Sequence, residues 1–323
     1  MEYRKMIKFG NSSFVISLPK DWIDQHNLKK GDPVYLDMSN NGEILLTPKL
    51  TEIKKEKKSI TIDINNKDIF HIQREITAAY INNYHNIVIT GDDLSEKSLG
   101  IRDIINNLVA LEIMEQTSKR ITAKDFLDMD NISITNIVRK VDMILRSMMY
   151  DLKTMHEEGK KVDEVFNSRD RDINRLTFLA LRTIRYGIDD TNFIKKNKLM
   201  PHYLLELYDI VKLVEKIGDE VKRIARLVEK SREDVKTEKQ KEAVRKIFEL
   251  FTQIENVYVN AMKSYYKKDR SIAFEIAKKR SMIKNKIEDW EDQETVFKQQ
   301  QLLMQRLQMM LTYVHDISRI SYQ

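Results

Sequence analysis

The distribution of helix-breaking residues divides this chain into two unlike parts. Three of its four prolines, Pro19, Pro33 and Pro48, lie within the first fifty residues, and only Pro201 follows. Proline is tolerated at turns and strand ends but interrupts the interior of a helix. We therefore predict a small β module at the N-terminus. From about residue 131 onward, where apolar residues recur at helical spacing, we predict a helical body.

Composition excludes several functional classes. The chain has 323 residues, no cysteine, and hydrophobic and charged fractions of 41% and 33%, as expected of a folded protein with more than one core. Without cysteine there is no disulfide, no zinc–thiolate site and no thiol nucleophile. The first residues contain no apolar signal segment, and no apolar run reaches the ~18 residues that span a bilayer. We therefore expect a cytoplasmic protein without membrane insertion. The formal net charge of +6 fits a nucleic-acid partner, and a lysine-rich helical surface would give the same total.

The order of apolar and turn segments predicts a mainly α protein with a small β N-terminal domain. The first fifty residues alternate short apolar runs with turn residues, which is typical of four strands with one short helix at 21–28. After residue 58 we predict strand–helix–strand–helix–strand, a small α/β segment whose second helix covers 98–114. Six helices are predicted to follow, near 132–158, 161–188, 199–230, 236–267, 269–291 and 294–321. The predicted domains are 1–50, a connector with the α/β domain at 51–130, and two three-helix repeats at 131–232 and 233–323.

The N-terminal module carries an ordered series of short motifs. They are Arg4-Lys5, Gly10-Asn11-Ser12-Ser13, Leu18-Pro19-Lys20, Leu28-Lys29-Lys30-Gly31-Asp32 and Gly42-Glu43 with Pro48. This series resembles the AbrB/MazE/SpoVT family of swapped-hairpin DNA-binding domains. The resemblance implies that two chains interlace into one barrel and that its basic face lies on double-stranded DNA. Carried onto this sequence, it implies DNA contacts by Arg4, Lys5, Lys8, Asn11, Ser12 and Lys20.

The charge of this module leaves two interpretations open. Residues 1–50 contain seven Lys and Arg against six Asp and Glu, so the module could serve only for dimerisation. Within residues 1–20, however, four cations stand against a single acid, Glu2. Cations placed in this way neutralise phosphates, while short polar side chains fix register on the duplex.

The segment LVEKIGDEVKRIA at 213–225 places Glu215 and Asp219 on one helix face. It resembles the signature helix of PhoU proteins, since Glu215, Ile217, Gly218, Asp219, Ile224 and Ala225 match. Asp170 and Asn174 stand where the companion acidic motif of that family lies. The resemblance implies two tandem three-helix PhoU bundles and a divalent metal, or an iron or zinc cluster, at Asp170, Asn174, Glu215 and Asp219. Without a metal, the same residues would form a solvated acidic groove or a salt-bridge network with Arg175, Lys216 or Arg223.

The second repeat differs from the first at the corresponding positions. Arg280 and Lys284 stand in register with Asp170 and Asn174, and Thr312 and Asp316 stand in register with Glu215 and Asp219. Two cations would repel a metal ion. We therefore expect Asp316 to form a salt bridge with Arg280 or Lys284.

These patterns predict a regulator rather than an enzyme. The chain has no Walker-type phosphate loop, nucleophile elbow or ordered Ser/His/Asp set. The two resemblances together imply a layout similar to archaeal PhoU-related regulators. They imply a homodimeric transcriptional regulator that binds double-stranded DNA and is linked to phosphate uptake, with a phosphate ABC transporter or a signalling kinase as further partner. Two alternatives stay open: a PhoU-type adaptor that binds no DNA, and a metal-storing or hydrolytic helical protein.

Overall fold

The computed structural model describes residues 3–38, 42–48, 57–162, 164–291 and 295–322. The chain divides into two compact units, Met1–Glu56 and Lys57–Gln323. Most of the described residues are helical and the N-terminal unit is a small β region, which confirms the coarse fold class. No helix of the described part is long and apolar enough to cross a membrane.

The N-terminal unit consists of two β-hairpins separated by a short helix, as predicted. Each hairpin is antiparallel, and the two form separate two-stranded sheets. Gly10 has a φ of +69° at the tip of the first hairpin, a conformation that L side chains disfavour. The elements are β1 (Ile7–Phe9), β2 (Ser13–Val15), α1 (Lys20–Gln25), β3 (Tyr35–Met38) and β4 (Ile44–Thr47).

The next segment is a four-stranded mixed sheet with two helices. Its strand order is β5-β6-β8-β7, with β5 and β6 parallel and the other pairs antiparallel. Isoleucines from both helices and from the sheet form its core. The elements are β5 (Ser59–Asp63), α2 (Ile69–Ile81), β6 (Asn86–Thr90), α3 (Leu94–Asn106), β7 (Leu111–Gln116) and β8 (Arg120–Asp125).

The predicted helix over 98–114 is wrong in its second half. The helix α3 ends at Asn106, and Leu111–Gln116 forms the edge strand β7, which pairs with β8. Between them, Ala110 takes a positive φ of 59°, where the chain turns back to the sheet. A short apolar run such as the one at 108–114 fits helical and strand periods equally, so periodicity could not separate the two.

The helical part contains the six long helices that the sequence predicts. A short helix, α6, was not predicted; it begins after Asp190, whose carboxylate accepts hydrogen bonds from the amides of Asn192 and Phe193. The last helix begins at Gln300 instead of 294, because the Gln300 side chain closes a turn by accepting from the Val296 amide. The elements are α4 (Ile134–Glu157), α5 (Glu164–Asp189), α6 (Thr191–Lys196), α7 (Pro201–Ser231), α8 (Glu238–Lys267), α9 (Arg270–Glu291) and α10 (Gln300–Ile320).

The long helices pack in two groups of three that share one core. α4, α5 and α7 contact one another, as do α8, α9 and α10, and α7 packs along α10 between the groups. A single continuous cluster of buried apolar side chains runs from Ile134 to Ile320. α5 packs on α7 at Gly218, where a Cβ would meet Cδ1 of Ile173 at 3.4 Å, an ordinary van der Waals distance.

A buried carboxylate also joins the two groups. Asp142 of α4 accepts hydrogen bonds from the hydroxyls of Tyr258 (2.8 Å) and Tyr266 (3.2 Å) of α8 and from Nε of Arg146 (2.8 Å). Burial, and then the charge of Asp142, raise the pKa of Tyr258 well above its ordinary value, so this phenol stays a donor. The carboxylate is thereby satisfied inside the core.

Candidate functional site

The six residues that the sequence predicts as DNA contacts are all exposed in the N-terminal unit. Lys8 lies in the middle of β1 and pairs across the hairpin with Phe14. Asn11 and Ser12 form the hairpin turn, and Lys20 is the first residue of α1. Arg4 and Lys5 precede β1 in a segment without regular secondary structure. Five of these six residues thus lie on or beside one hairpin.

The same unit contains no buried residue among those described between 3 and 48. In the second hairpin, Leu36 pairs with Leu46 and Met38 with Ile44, so four apolar side chains share one face. Leu36 is 68% exposed and Met38 77% exposed. In the first hairpin, Ile7 pairs with Val15, and both are exposed. An isolated two-stranded hairpin is marginally stable in water. These apolar faces therefore require another surface to pack against if the hairpins are to be stable.

In the first repeat, two acidic side chains of the motif contact the ammonium group of one lysine. The Nζ atom of Lys222 lies 2.9 and 3.0 Å from the two carboxylate oxygens of Asp170 and 3.0 Å from Oδ1 of Asp219. Asp170 is on α5 and Asp219 on α7, so this ammonium joins two helices. Burial would lower the pKa of Lys222, but the hydrogen bonds to both aspartates raise it above its ordinary value.

The other two predicted metal ligands do not join this contact. Glu215 lies within 3.8 Å of Lys212 on its own helix. Burial raises the pKa of Glu215, with Lys212 opposing the shift. Asn174 is half-buried on α5, and its side chain has no hydrogen bond to the described residues.

The arrangement does not fit a bound metal ion. Among the described residues, no three His, Asp or Glu side chains are placed to hold one, and the Lys222 ammonium stands between the two aspartates. The alternative prediction, a salt-bridge network around these acids, is confirmed for Arg223, which contacts Asp219 at 3.6 Å. It is wrong for Arg175, which pairs with Asp172. The metal site stays a prediction of the sequence.

Lys222 is the residue that the sequence analysis missed. It lies three positions after Asp219, a spacing that places both on the same side of α7. Any cation at that spacing could have been tested as an internal partner for the acids.

The second repeat brings together the residues that the sequence aligned. Arg280 and Lys284 of α9 and Thr312 of α10 line one cavity of about 330 Å³. The expected salt bridge is wrong, because Asp316 contacts Arg319 at 3.8 Å and Lys284 contacts Glu288 at 2.9 Å, each within its own helix. Residues three or four positions apart on one helix lie close together. Asp316 and Glu288 therefore pair with cations of their own helices and not with cations of the facing helix.

Loss of Lys222 would leave Asp170 without its cation and Asp219 with only the longer contact to Arg223. We expect Lys222→Met to lower the free energy of unfolding by about 2 kcal/mol, which charged hydrogen bonds contribute when they are partly buried. We also expect Mn²⁺ to raise the Tm of this variant and not that of the wild type. Thermal and urea denaturation check both, with Lys212→Met as control, because its pair with Glu215 is longer and more exposed. Equal stability of Lys222→Met and the wild type would contradict the internal ion pair.

The comparisons with known proteins bear on the N-terminal unit. Residues 7–54 match the sequence profile of a family described as "Antidote-toxin recognition MazE, bacterial antitoxin". No curated protein and no solved structure gave a significant match. The match covers β1 to β4 and supports an N-terminal domain of the DNA-binding, dimerising type. It stops before residue 57, so it carries no argument about the second unit.

Proposed function

We propose that this protein is a dimeric transcriptional regulator whose N-terminal unit binds double-stranded DNA. The observation that carries the proposal is the MazE-type match over residues 7–54, together with the exposed basic residues on its first hairpin. Lys8, Arg4 and Lys5 supply cations for phosphates, and Asn11 and Ser12 supply short polar groups at the hairpin tip. Arg4 is the only arginine in residues 1–50, so bidentate contacts to guanine are few and phosphate contacts dominate the affinity.

The dimer follows from the exposed apolar faces of the two hairpins. A second copy of the same unit offers identical faces, so a symmetric pairing covers both at once. The faces contain leucine, isoleucine, methionine and phenylalanine, and each fully buried side chain contributes about 1.5–3 kcal/mol. This supports the swapped-hairpin arrangement that the family resemblance implies.

A charged residue introduced on the apolar face of the second hairpin tests whether the dimer forms through that face. We expect Leu36→Asp to raise the dimer dissociation constant by at least about 100-fold, because two unpaired carboxylates would be buried in a symmetric interface. Sedimentation velocity across a concentration series measures this. Leu99→Asp is the matched control, since Leu99 lies in the second unit and is 75% exposed, close to the 68% of Leu36. A Leu36→Asp protein that stays as dimeric as the control would contradict a dimer built on this face.

The helical part is proposed as the sensor or partner-binding module. Its support is the PhoU-like motif, whose apolar members Ile217, Gly218, Ile224 and Ala225 are buried on α7. Through that resemblance we propose phosphate status as the signal and a phosphate transporter or its kinase as partner. Genome-wide capture of bound DNA in phosphate-rich and phosphate-poor cells tests this. Sites near transport genes that change with phosphate are expected, and an identical set of sites in both conditions would contradict the phosphate link.

An adaptor that binds no DNA is the second candidate. The observation in its favour is the nearly balanced charge of residues 1–50, with seven cations and six acids. Such a protein would still dimerise through the hairpins. It would differ from the regulator in showing no salt-dependent affinity for DNA.

A further inference from the structure

The groove between α9 and α10 contains a cationic cavity that the proposed DNA-binding function does not use. Its volume is about 330 Å³, and its lining contains no acidic residue. That volume is at the lower end of the range for small-molecule sites. The lining residues are Arg280, Lys284, Gln308, Met309, Leu311, Thr312 and Tyr313.

The two cations of this cavity differ in their surroundings, since Lys284 contacts Glu288 of its own helix at 2.9 Å. Arg280 has no ion pair with any residue in the described part of the chain. It lies four residues before Lys284, and like charges at that spacing repel each other on a helix surface. The charge of Arg280 also lowers the pKa of His315 on α10. Only the burial of His315 contributes more to that shift. An anion between the two helices would reduce the repulsion between Arg280 and Lys284.

The donors around the cavity come from two helices. The guanidinium of Arg280 offers N–H groups in a planar fork that matches oxygen anions. The Lys284 ammonium contacts Glu288 at 2.9 Å and, having three donors, keeps two for another acceptor. The Gln308 side-chain amide has no hydrogen bond to the described residues and supplies a third donor from α10.

In the first repeat the corresponding positions carry acids instead of cations, and their charge is balanced within the chain. There the acids of α5 and α7 hold the ammonium of Lys222 from their own chain. In the second repeat Lys284 contacts Glu288 and Asp316 contacts Arg319, each within its own helix, so no acid of the described part of α10 pairs with Arg280. An anion from solution can supply the charge that Arg280 lacks.

We propose that this cavity binds a tetrahedral oxyanion, either free phosphate or the phosphate group of a small ester, between Arg280, Lys284 and Gln308. Three donors that line one cavity from two helices suit a tetrahedral dianion better than a planar carboxylate. The apolar side chains of Met309 and Leu311 provide a wall for the carbon part of an ester. The proposal stands independently of DNA binding by the N-terminal unit.

The test is calorimetric titration of the full-length protein at constant ionic strength. Inorganic phosphate, glycerol phosphate and acetate are the probes. We expect saturable binding of phosphate, of the ester, or of both, and no binding of acetate. Arg280→Gln is expected to weaken binding about tenfold or more, since it removes a charged hydrogen-bond donor.

The matched control is Lys279→Gln, which removes the same charge from the adjacent position of α9 and lines a different cavity. It is expected to change the affinity by no more than about twofold, as exposed charges do. Circular dichroism establishes that both variants are folded. No saturable binding by the wild type, preferential binding of acetate, or an equal loss in both variants would each overturn the proposal.

Discussion

Alanine replacement of Arg4, Lys5 and Lys8 together is expected to lower the affinity for double-stranded DNA by about 100-fold or more near physiological salt. In a dimer these three positions supply about six cations, and each phosphate that a cation neutralises releases condensed counterions from the duplex. All three side chains are exposed at or before the first hairpin, so their removal leaves no cavity in the fold. Fluorescence anisotropy with a labelled duplex at fixed salt measures the change.

Lys29→Ala/Lys30→Ala is the control for this experiment. Both lysines are exposed in the same unit, in the turn after α1, away from the first hairpin in sequence. Their replacement is expected to change the affinity by no more than about a factor of three, because the remaining cations still neutralise the phosphates. Equal losses in the two variants would show that the unit's total charge, and not the first hairpin, determines binding.

Arg182→Met is expected to lower the free energy of unfolding by about 3–5 kcal/mol, the usual effect of removing one partner of a buried ion pair. Arg182 is fully buried in α5, and its Nη2 atom donates to Oδ2 of Asp125 at 2.5 Å. Its guanidinium also lies 4.4 Å from the ring centroid of Tyr80. These contacts join the α/β segment to the helical part. Burial raises the pKa of Asp125, and the charge of Arg182 opposes that shift.

A double variant separates the ion pair from simple loss of packing. Asp125→Asn/Arg182→Met removes both charges and is expected to be more stable than Arg182→Met alone, because no unpaired carboxylate remains buried. Arg185→Met is the control, since Arg185 is exposed one turn away and contacts Asn82. Urea denaturation measures all three proteins. A double variant less stable than Arg182→Met would contradict this account of the buried pair.

The helical part could be predicted from sequence because its signals are local and repeated. Proline is nearly absent after residue 50, and apolar residues recur over many turns, so the long helices were located to within about three residues, except for the start of α10. The strand β7 was missed because its apolar run is short and fits both periods. The helix α6 was missed because its six residues depend on a cap at Asp190 rather than on periodicity.

The sequence predicted where the residues of the candidate sites lie better than it predicted which residues they contact. Register correctly placed Arg280 and Lys284 opposite Thr312, because both repeats follow the same order of helices. It did not predict that Lys222 joins Asp170 to Asp219, because that contact depends on how α5 packs over Gly218 of α7. The N-terminal unit shows the opposite situation. Its strands were predicted, and its apolar faces find no cover within the described part of that unit.

The salt dependence of DNA binding by the wild-type protein tests the proposal that the N-terminal unit binds DNA as a dimer. The affinity for a duplex would be measured from about 50 to 200 mM salt, with the mass of the complex determined at each point. With about six phosphate contacts, the logarithm of the affinity should fall against the logarithm of salt with a slope near −5, and two chains should bind each duplex. No binding at the lowest salt, or an affinity that does not change with salt, would contradict the claim.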